Sequence, residues 1–268
     1  MIYFFFDIDG TLLPFGGKVP QSAIDALDKV RAMGHRTFLA TGRSPVEVLP
    51  DIYALGFRDG VFSAGGAVIA DNKLIYSRYF SEEDRDTVFS YCRENNLGMM
   101  IQTPSGTYVP PRVMTIFREE MIRHTGHVAA LSSVIESDEI PSDEKINKVI
   151  YVTRNGSIER IRKDLSPRFD TVSNTLGVPD SVMGEIVLHG LSKATGIEKI
   201  MEYYGSDMSR AVVFGDGAND EEMVSIAGIG IAMGNASPHL KEKARYITAD
   251  INDDGIAKGI DYALSILG

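Results

Sequence analysis

Residues 2–6 read Ile-Tyr-Phe-Phe-Phe, and Asp7 follows at once. Five bulky apolar side chains with no polar alternation fit a strand buried on both faces, the habit of parallel sheets. Parallel neighbours need a long crossover, usually a helix. The next segments supply them. Ala23, Ile24, Leu27, Val30 and Met33 recur at helical spacing over 21–33, with Gly34 just past the end. Residues 36–40 form a second short run, Ser44-Pro45 opens a helical segment toward Leu55-Gly56, and residues 60–63 form a third run. Strand, helix, strand, helix, strand predicts an α/β fold with a doubly wound, Rossmann-like parallel sheet.

The alternation then changes character. Residues 67–80 predict a hairpin turning at Asp71-Asn72-Lys73. A helix opened by Ser81 fits 82–96, strands fit 98–103 and 106–109, and a helix fits 112–124. A strand at 148–153, a helix at 157–165 and a strand at 182–188 complete an α+β insert. The doubly wound pattern resumes with a helix over 194–204, a strand over 210–214, a helix over 219–227 and a strand over 229–232. The expected domains are therefore a split core, 1–81 and 189–268, around an insert at 82–188.

Charge and composition narrow the function classes. The chain has 37 acidic against 27 basic residues, a formal net charge of −10. That argues against a broad nucleic-acid footprint. It also repels phosphorylated ligands at long range, so a phosphate site needs a metal ion or a few placed cations. No apolar run approaches the ~18 residues of a membrane span, and the N-terminal run has no basic leader. One cysteine, Cys92, excludes an intrachain disulfide and reads as a buried helix residue. The expectation is a cytoplasmic protein without membrane or nucleic-acid partners, a monomer or weak homodimer.

Three polar segments follow strand ends of the split core, where ligands of such sheets bind. They are Asp7-Ile8-Asp9-Gly10-Thr11, Ala40-Thr41-Gly42-Arg43 and Gly215-Asp216-Gly217-Ala218-Asn219-Asp220. Two carboxylates beside a buried aromatic run are costly unless paired or metal-bound. Lys193 stands at a helix start where the chain re-enters the core. These segments match, in order, the four motifs of the haloacid dehalogenase (HAD) superfamily. The insert between the second and third motifs resembles the C2-type cap of the Cof-type sugar phosphatases. Asp253-Asp254-Gly255-Ile256-Ala257 is similar to a C-terminal signature of that subfamily.

The resemblance implies a phosphatase acting on a small phosphorylated metabolite, with Asp7 as nucleophile and Asp9 as general acid and base. It assigns Mg²⁺ to Asp7, the backbone carbonyl of Asp9 and Asp216, with Asp220 ligating or orienting. Thr41 is expected to bond the transferring phosphoryl group, with Gly10 and Gly42 beside it. Lys193 is expected to supply a point charge against phosphate and Asp7, and Asn219 to orient the lysine or the phosphate. Arg43 is read as binding phosphate or making a structural ion pair. Elementary electrostatics agrees, since each like-charge pair at about 4 Å costs roughly 4 kcal/mol at an effective dielectric near 20. Asp7, Asp216, Asp220 and a phosphate therefore need a cation.

The insert is expected to set specificity, with Arg112 and Glu185 contacting the leaving group. His189 is read as structural. Asp250, Asp253 and Asp254 fit a solvated loop or an outer role around the metal equally well. Two alternatives stand: a phosphomutase or phosphotransferase on the same core, and a catalytically silent metabolite-binding protein. Two departures from the subfamily pattern are visible. Ala64-Gly65-Gly66-Ala67 stands where Asn-Gly-Ala is common, and Ala194 and Gly196 stand where Gly and Ala are common. The second exchange is expected to alter backbone freedom by at most about 1 kcal/mol.

Overall fold

A computed structural model describes residues 1–126, 128, 131–174, 176 and 178–268. The chain begins β1 (Tyr3–Phe6), α1 (Gln21–Ala32), β2 (Arg36–Ala40), α2 (Pro50–Ala54), β3 (Gly60–Phe62), β4 (Ala67–Ala70) and β5 (Lys73–Ser77). It continues α3 (Glu82–Glu94), β6 (Gly98–Thr103), β7 (Gly106–Val109), α4 (Pro111–Thr125), β8 (Val134–Glu136), β9 (Lys148–Val152), α5 (Ile158–Leu165), β10 (Phe169–Ser173) and β11 (Met183–Leu188). It ends α6 (Lys193–Tyr203), β12 (Ala211–Gly215), α7 (Glu221–Ile226), β13 (Ile229–Ala232), α8 (Pro238–Lys243), β14 (Tyr246–Ile247) and α9 (Gly255–Leu267). The expected mixed α/β class is what the structure shows.

Two compact units account for these elements. The first comprises Met1–Gly42, Pro50–Ser77 and Ser192–Gly268. Its sheet runs β14-β13-β12-β1-β2-β3-β4-β5, parallel from β14 to β3, with β4 and β5 antiparallel. β1 is buried throughout, as its apolar run requires, and Phe6 stacks on Phe214 of β12 with ring centroids 4.8 Å apart. The chain winds from β1 toward β3 on one side and from β12 toward β14 on the other. The switch in direction lies at β1 and β12, which makes their carboxyl ends the place for a ligand. The β4–β5 turn is Asp71-Asn72, both at positive φ, as a two-residue hairpin turn demands.

The second unit comprises Arg43–Leu49 and Arg78–Leu191. Its sheet runs β10-β11-β9-β6-β7-β8, antiparallel except between β7 and β8. Met100, Val113, Phe117, Met121, Val152 and Met183 form one of its apolar cores. α3 opens on a capping box in which the Ser81 amide donates to Asp84 and the Asp84 amide donates to Ser81.

Residues 43–49, assigned to the core by sequence, belong to this second unit. The cause is Glu47. Its carboxylate accepts from the Ser44 amide at 2.8 Å, from Gln102 Nε2 at 2.6 Å and from the Thr107 hydroxyl. Ser132 and Ser133 hydroxyls donate to the carbonyls of Glu47 and Val46. The single helix expected from Ser44 to Leu55 is accordingly two pieces, a 3₁₀ turn at Pro45–Glu47 and then α2.

Candidate active site

The segments at 7–11 and 215–220 meet Lys193 in the first unit, which also holds Thr41 and Gly42, while Arg43 falls in the second. Asp7 follows β1 directly, and its backbone N–H donates to the Phe214 carbonyl of β12. Thr41 follows β2, is buried, and donates its N–H to the Val61 carbonyl of β3. Lys193 is the first residue of α6, whose start is fixed by Ser192: its hydroxyl accepts from the Thr195 amide and its amide donates to the Thr195 hydroxyl.

Lys193 is 2% exposed, Asp7 3% and Asp220 0%, so these charges meet almost without water. Lys193 Nζ lies 2.8 Å from Asp7 Oδ1 and 2.6 Å from Asp220 Oδ1. Asp220 Oδ2 accepts the backbone N–H groups of Asp216 and Gly217 at 2.9 and 3.0 Å. Both Asp220 oxygens are thus committed: Asp220 orients the lysine and the 216–217 loop. Asp216 Oδ1 accepts from the Thr11 hydroxyl at 2.7 Å. Gly10 is at φ +86°, and a Cβ there would lie 2.2 Å from Asp216 Oδ2, so only glycine lets that carboxylate approach.

Asp7, Asp216 and Asp220 each place a carboxylate oxygen within 4.8 Å of the others. One ammonium stands against three carboxylates. An all-oxygen, anionic donor set of this kind fits a hard divalent cation. The titration of the carboxylates records the same imbalance. Burial first, and then the charge of Asp220, hold Asp7 well above the usual carboxylate range and push Asp216 up to about 7. Burial alone would lower Lys193, but Asp220 and Asp7 overcome it and keep the lysine charged.

A metal-linked prediction follows from the sign of these shifts. A carboxylate whose folded pKa is raised holds protons more tightly when folded. In metal-free protein the contribution of these two carboxylates therefore favours folding below about pH 4 and is lost as pH rises, for Asp216 through about 7. A cation competes with those protons. The rise in Tm on adding Mg²⁺ is expected to be small at pH 5.5 and clearly larger at pH 8. Equal rises at both pH values in thermal unfolding would contradict this account.

Other expected residues find definite places. Asp9 is half-buried and bridges to Leu13. Asn219 keeps its side-chain oxygen buried without a hydrogen-bond partner among the described residues, and Lys193 is held by the two carboxylates instead. Arg43, Arg112 and Glu185 belong to the second unit. Arg43 Nη1 donates to the Glu47 carbonyl at 3.1 Å, and Glu185 pairs with the buried Lys148 at 2.7 Å. His189 bonds Asp170 at 2.9 Å and is two-thirds exposed, a structural contact.

Sequence reasoning missed two supports. Thr11 orients Asp216, and its place inside the Asp-x-Asp-Gly-Thr segment was the available signal. Asn235 Nδ2 donates to the Gly10 carbonyl, and its Oδ1 accepts the Ile251 amide. The 250–254 loop therefore reaches the Asp7–Thr11 loop through Asn235. The departures also acquire reasons. Ala64 sits at φ 54°, a left-handed conformation that Asn tolerates better than Ala. A Cβ on Gly196 would lie 2.3 Å from Val61 Cγ1, so this glycine lets α6 pack closely on β3. That is a steric requirement, beyond the backbone freedom expected.

A family model for haloacid dehalogenase-like hydrolases matches residues 4–260. The chain belongs to that family. It is 29% identical over 269 residues to the protein YkrA of Bacillus subtilis, covering 98% of this chain and 96% of YkrA. It is 26% identical over 263 residues to the 5-amino-6-(5-phospho-D-ribitylamino)uracil phosphatase YitU of the same organism, covering 94% and 93% of the two chains. Among solved structures, BT1666 from Bacteroides thetaiotaomicron, described as a phosphatase of the HAD superfamily, superposes with a TM-score of 0.83. The identity is 26%, covering 98% of this chain and 94% of BT1666. The chain is thus an enzyme of this hydrolase family. No helix of the described residues is long and apolar enough to cross a membrane.

Proposed function

We propose that this hydrolase is a Mg²⁺-dependent phosphatase of small phosphorylated metabolites, sugar phosphates foremost, working through an aspartyl-phosphate on Asp7. The observation that carries the reading is the buried Asp7–Lys193–Asp220 unit. Lys193 Nζ lies 2.8 Å from Asp7 Oδ1, and the other carboxylate oxygen is Oδ2. That oxygen is the proposed nucleophile.

In the first step Asp7 Oδ2 forms a bond to phosphorus while the ester P–O bond breaks. Asp9 gives its proton to the departing alkoxide. In the second step the Asp9 carboxylate takes a proton from water, whose oxygen bonds to phosphorus as the bond to Asp7 breaks. Lys193 stays protonated throughout and offsets charge on Asp7 and the phosphoryl oxygens. Thr41, with the Gly10 and Gly42 backbone, is proposed to hold that group, and Asn219 offers its amide to it. Mg²⁺, held by Asp7, the Asp9 carbonyl and Asp216, would neutralise carboxylate and phosphate charge that otherwise repel. A reducing, cytoplasmic setting belongs to the same reading: Cys92 is a free buried thiol whose pKa burial pushes up to about 12.

Phosphate release from an aryl phosphate, with Mg²⁺ and with chelator, tests the class. Release is expected to need the metal, and a sugar-phosphate panel to yield free phosphate. Isomerised sugar phosphate would instead establish a mutase, and no reaction with any ester a binding protein. Glu185, anchored by Lys148, is the residue of the insert proposed to read a leaving-group hydroxyl. Glu185→Gln should then reorder kcat/KM across the panel while sparing the aryl phosphate; an unchanged order rejects that role.

A further inference from the structure

The second unit holds a cavity of about 580 Å³ lined by 13 residues. All of them lie between Cys92 and Asn155, within that unit. Three are arginines, Arg93, Arg112 and Arg154, and none is Asp or Glu. This is contrary to the chain as a whole, which carries ten more acidic than basic residues.

The three guanidinium groups are not equally engaged. Arg154 is partly neutralised, with Nη2 2.5 Å from Glu119 and Nε 3.5 Å from Glu120. Among the described residues the Arg93 guanidinium bonds only a neutral group, the Ser90 hydroxyl at 3.1 Å. The side chain of Arg112, exposed in the first turn of α4, makes no hydrogen bond or ion pair with any described residue. Asn95 is held in place at the rim, accepting from Arg160 at 3.1 Å and donating to the Tyr91 carbonyl at 2.9 Å. Val113 and Ile116 of α4 add an apolar wall.

A cavity of a few hundred Å³ with an apolar wall and a few converging polar groups has the dimensions of a small-metabolite site. Guanidinium groups without carboxylate partners select planar or tetrahedral oxyanions through paired N–H donors. We propose that this cavity is an anion site carried by the insert, taking a small molecule with a phosphate or diphosphate group. It contains no carboxylate nucleophile and no carboxylate cluster for a metal, so it binds without transferring phosphate. Arg112, read from sequence as a leaving-group contact, acts here with Arg93.

The test uses the full-length protein in chelator, with inorganic pyrophosphate as probe and backbone amide NMR as readout. Saturable shifts are expected at Asn95, Arg112 and Asn155. The Arg93→Gln/Arg112→Gln protein should bind at least about tenfold more weakly, since the charge-assisted hydrogen bonds to the anion are lost. The Arg93→Lys/Arg112→Lys protein keeps the charge and should lose only part of the affinity, which separates charge from misfolding. Absence of saturable shifts at these amides overturns the proposal. So do shifts confined to the Asp7–Thr11 and Asp216–Asp220 segments, or equal affinity in the glutamine protein.

Discussion

Asp7→Asn is expected to lower phosphate release from an aryl phosphate by roughly 10³-fold or more, as loss of a nucleophile does where the rest of a site survives. The carboxamide has nearly the volume of the carboxylate, and its oxygen can still accept from Lys193. The fold should therefore persist, and the loss should fall on kcat. In metal-free protein the variant is expected to be no less stable. Asp7 is desolvated and repelled by Asp220 and Asp216, and Lys193 only partly offsets this. Removing that charge relieves the repulsion and leaves Lys193 paired with Asp220 at 2.6 Å. Single-turnover assays with trapped phosphoenzyme check the chemistry, and thermal unfolding checks the fold. Wild-type turnover in Asp7→Asn refutes the assignment.

The legible parts of this chain were those in which one residue type has one plausible reason to be there. The strands expected at 36–40, 98–103, 106–109 and 229–232 have those bounds in the structure. Asp7, Lys193, Asp216 and Asp220 were legible through the motifs in which they stand, and the structure brings their charged groups together. Where a residue serves a distant partner, the local pattern is mute. α9 went unread beyond its opening residues because Gly255 and Gly259 lower helix propensity. Both are required by packing: a Cβ on Gly255 would meet the Ala249 carbonyl at 2.3 Å, and one on Gly259 the Phe214 ring at 2.4 Å. β10, Phe169–Ser173, is an edge strand whose Asp170, Thr171 and Ser173 leave no apolar run to stand out. Glu47 carries no signal of its own in the sequence, yet its bonds to Gln102 and Thr107 move residues 43–49 into the second unit. That assignment depends on residues 55 and 60 positions away, which no window of sequence contains.

Lys193→Met is expected to have the largest effect on stability, and the effect should depend on metal. Methionine keeps the length of the side chain and removes its charge. Asp7 and Asp220, 3% and 0% exposed, would then face each other with no cation between them. Breaking a buried ion pair from one side typically costs about 3–5 kcal/mol. Because Lys193 is what lowers the Asp7 pKa, its removal raises that pKa further, so the folded variant takes up a proton on Asp7. The penalty should accordingly be smaller near pH 5 than near pH 8. Mg²⁺ supplies the missing positive charge and should restore part of the loss at pH 8. It should not restore the rate, since a preorganised donor to the reacting group is worth roughly 10²–10³-fold. Lys193→Arg should fail similarly, because a planar guanidinium cannot take the place of a compact ammonium in this closed space. Urea unfolding at both pH values, with and without Mg²⁺, measures each of these differences. A loss below about 1 kcal/mol, within the range of exposed ion pairs, would mean that Lys193 and the carboxylates do not form the coupled unit on which the proposed chemistry rests.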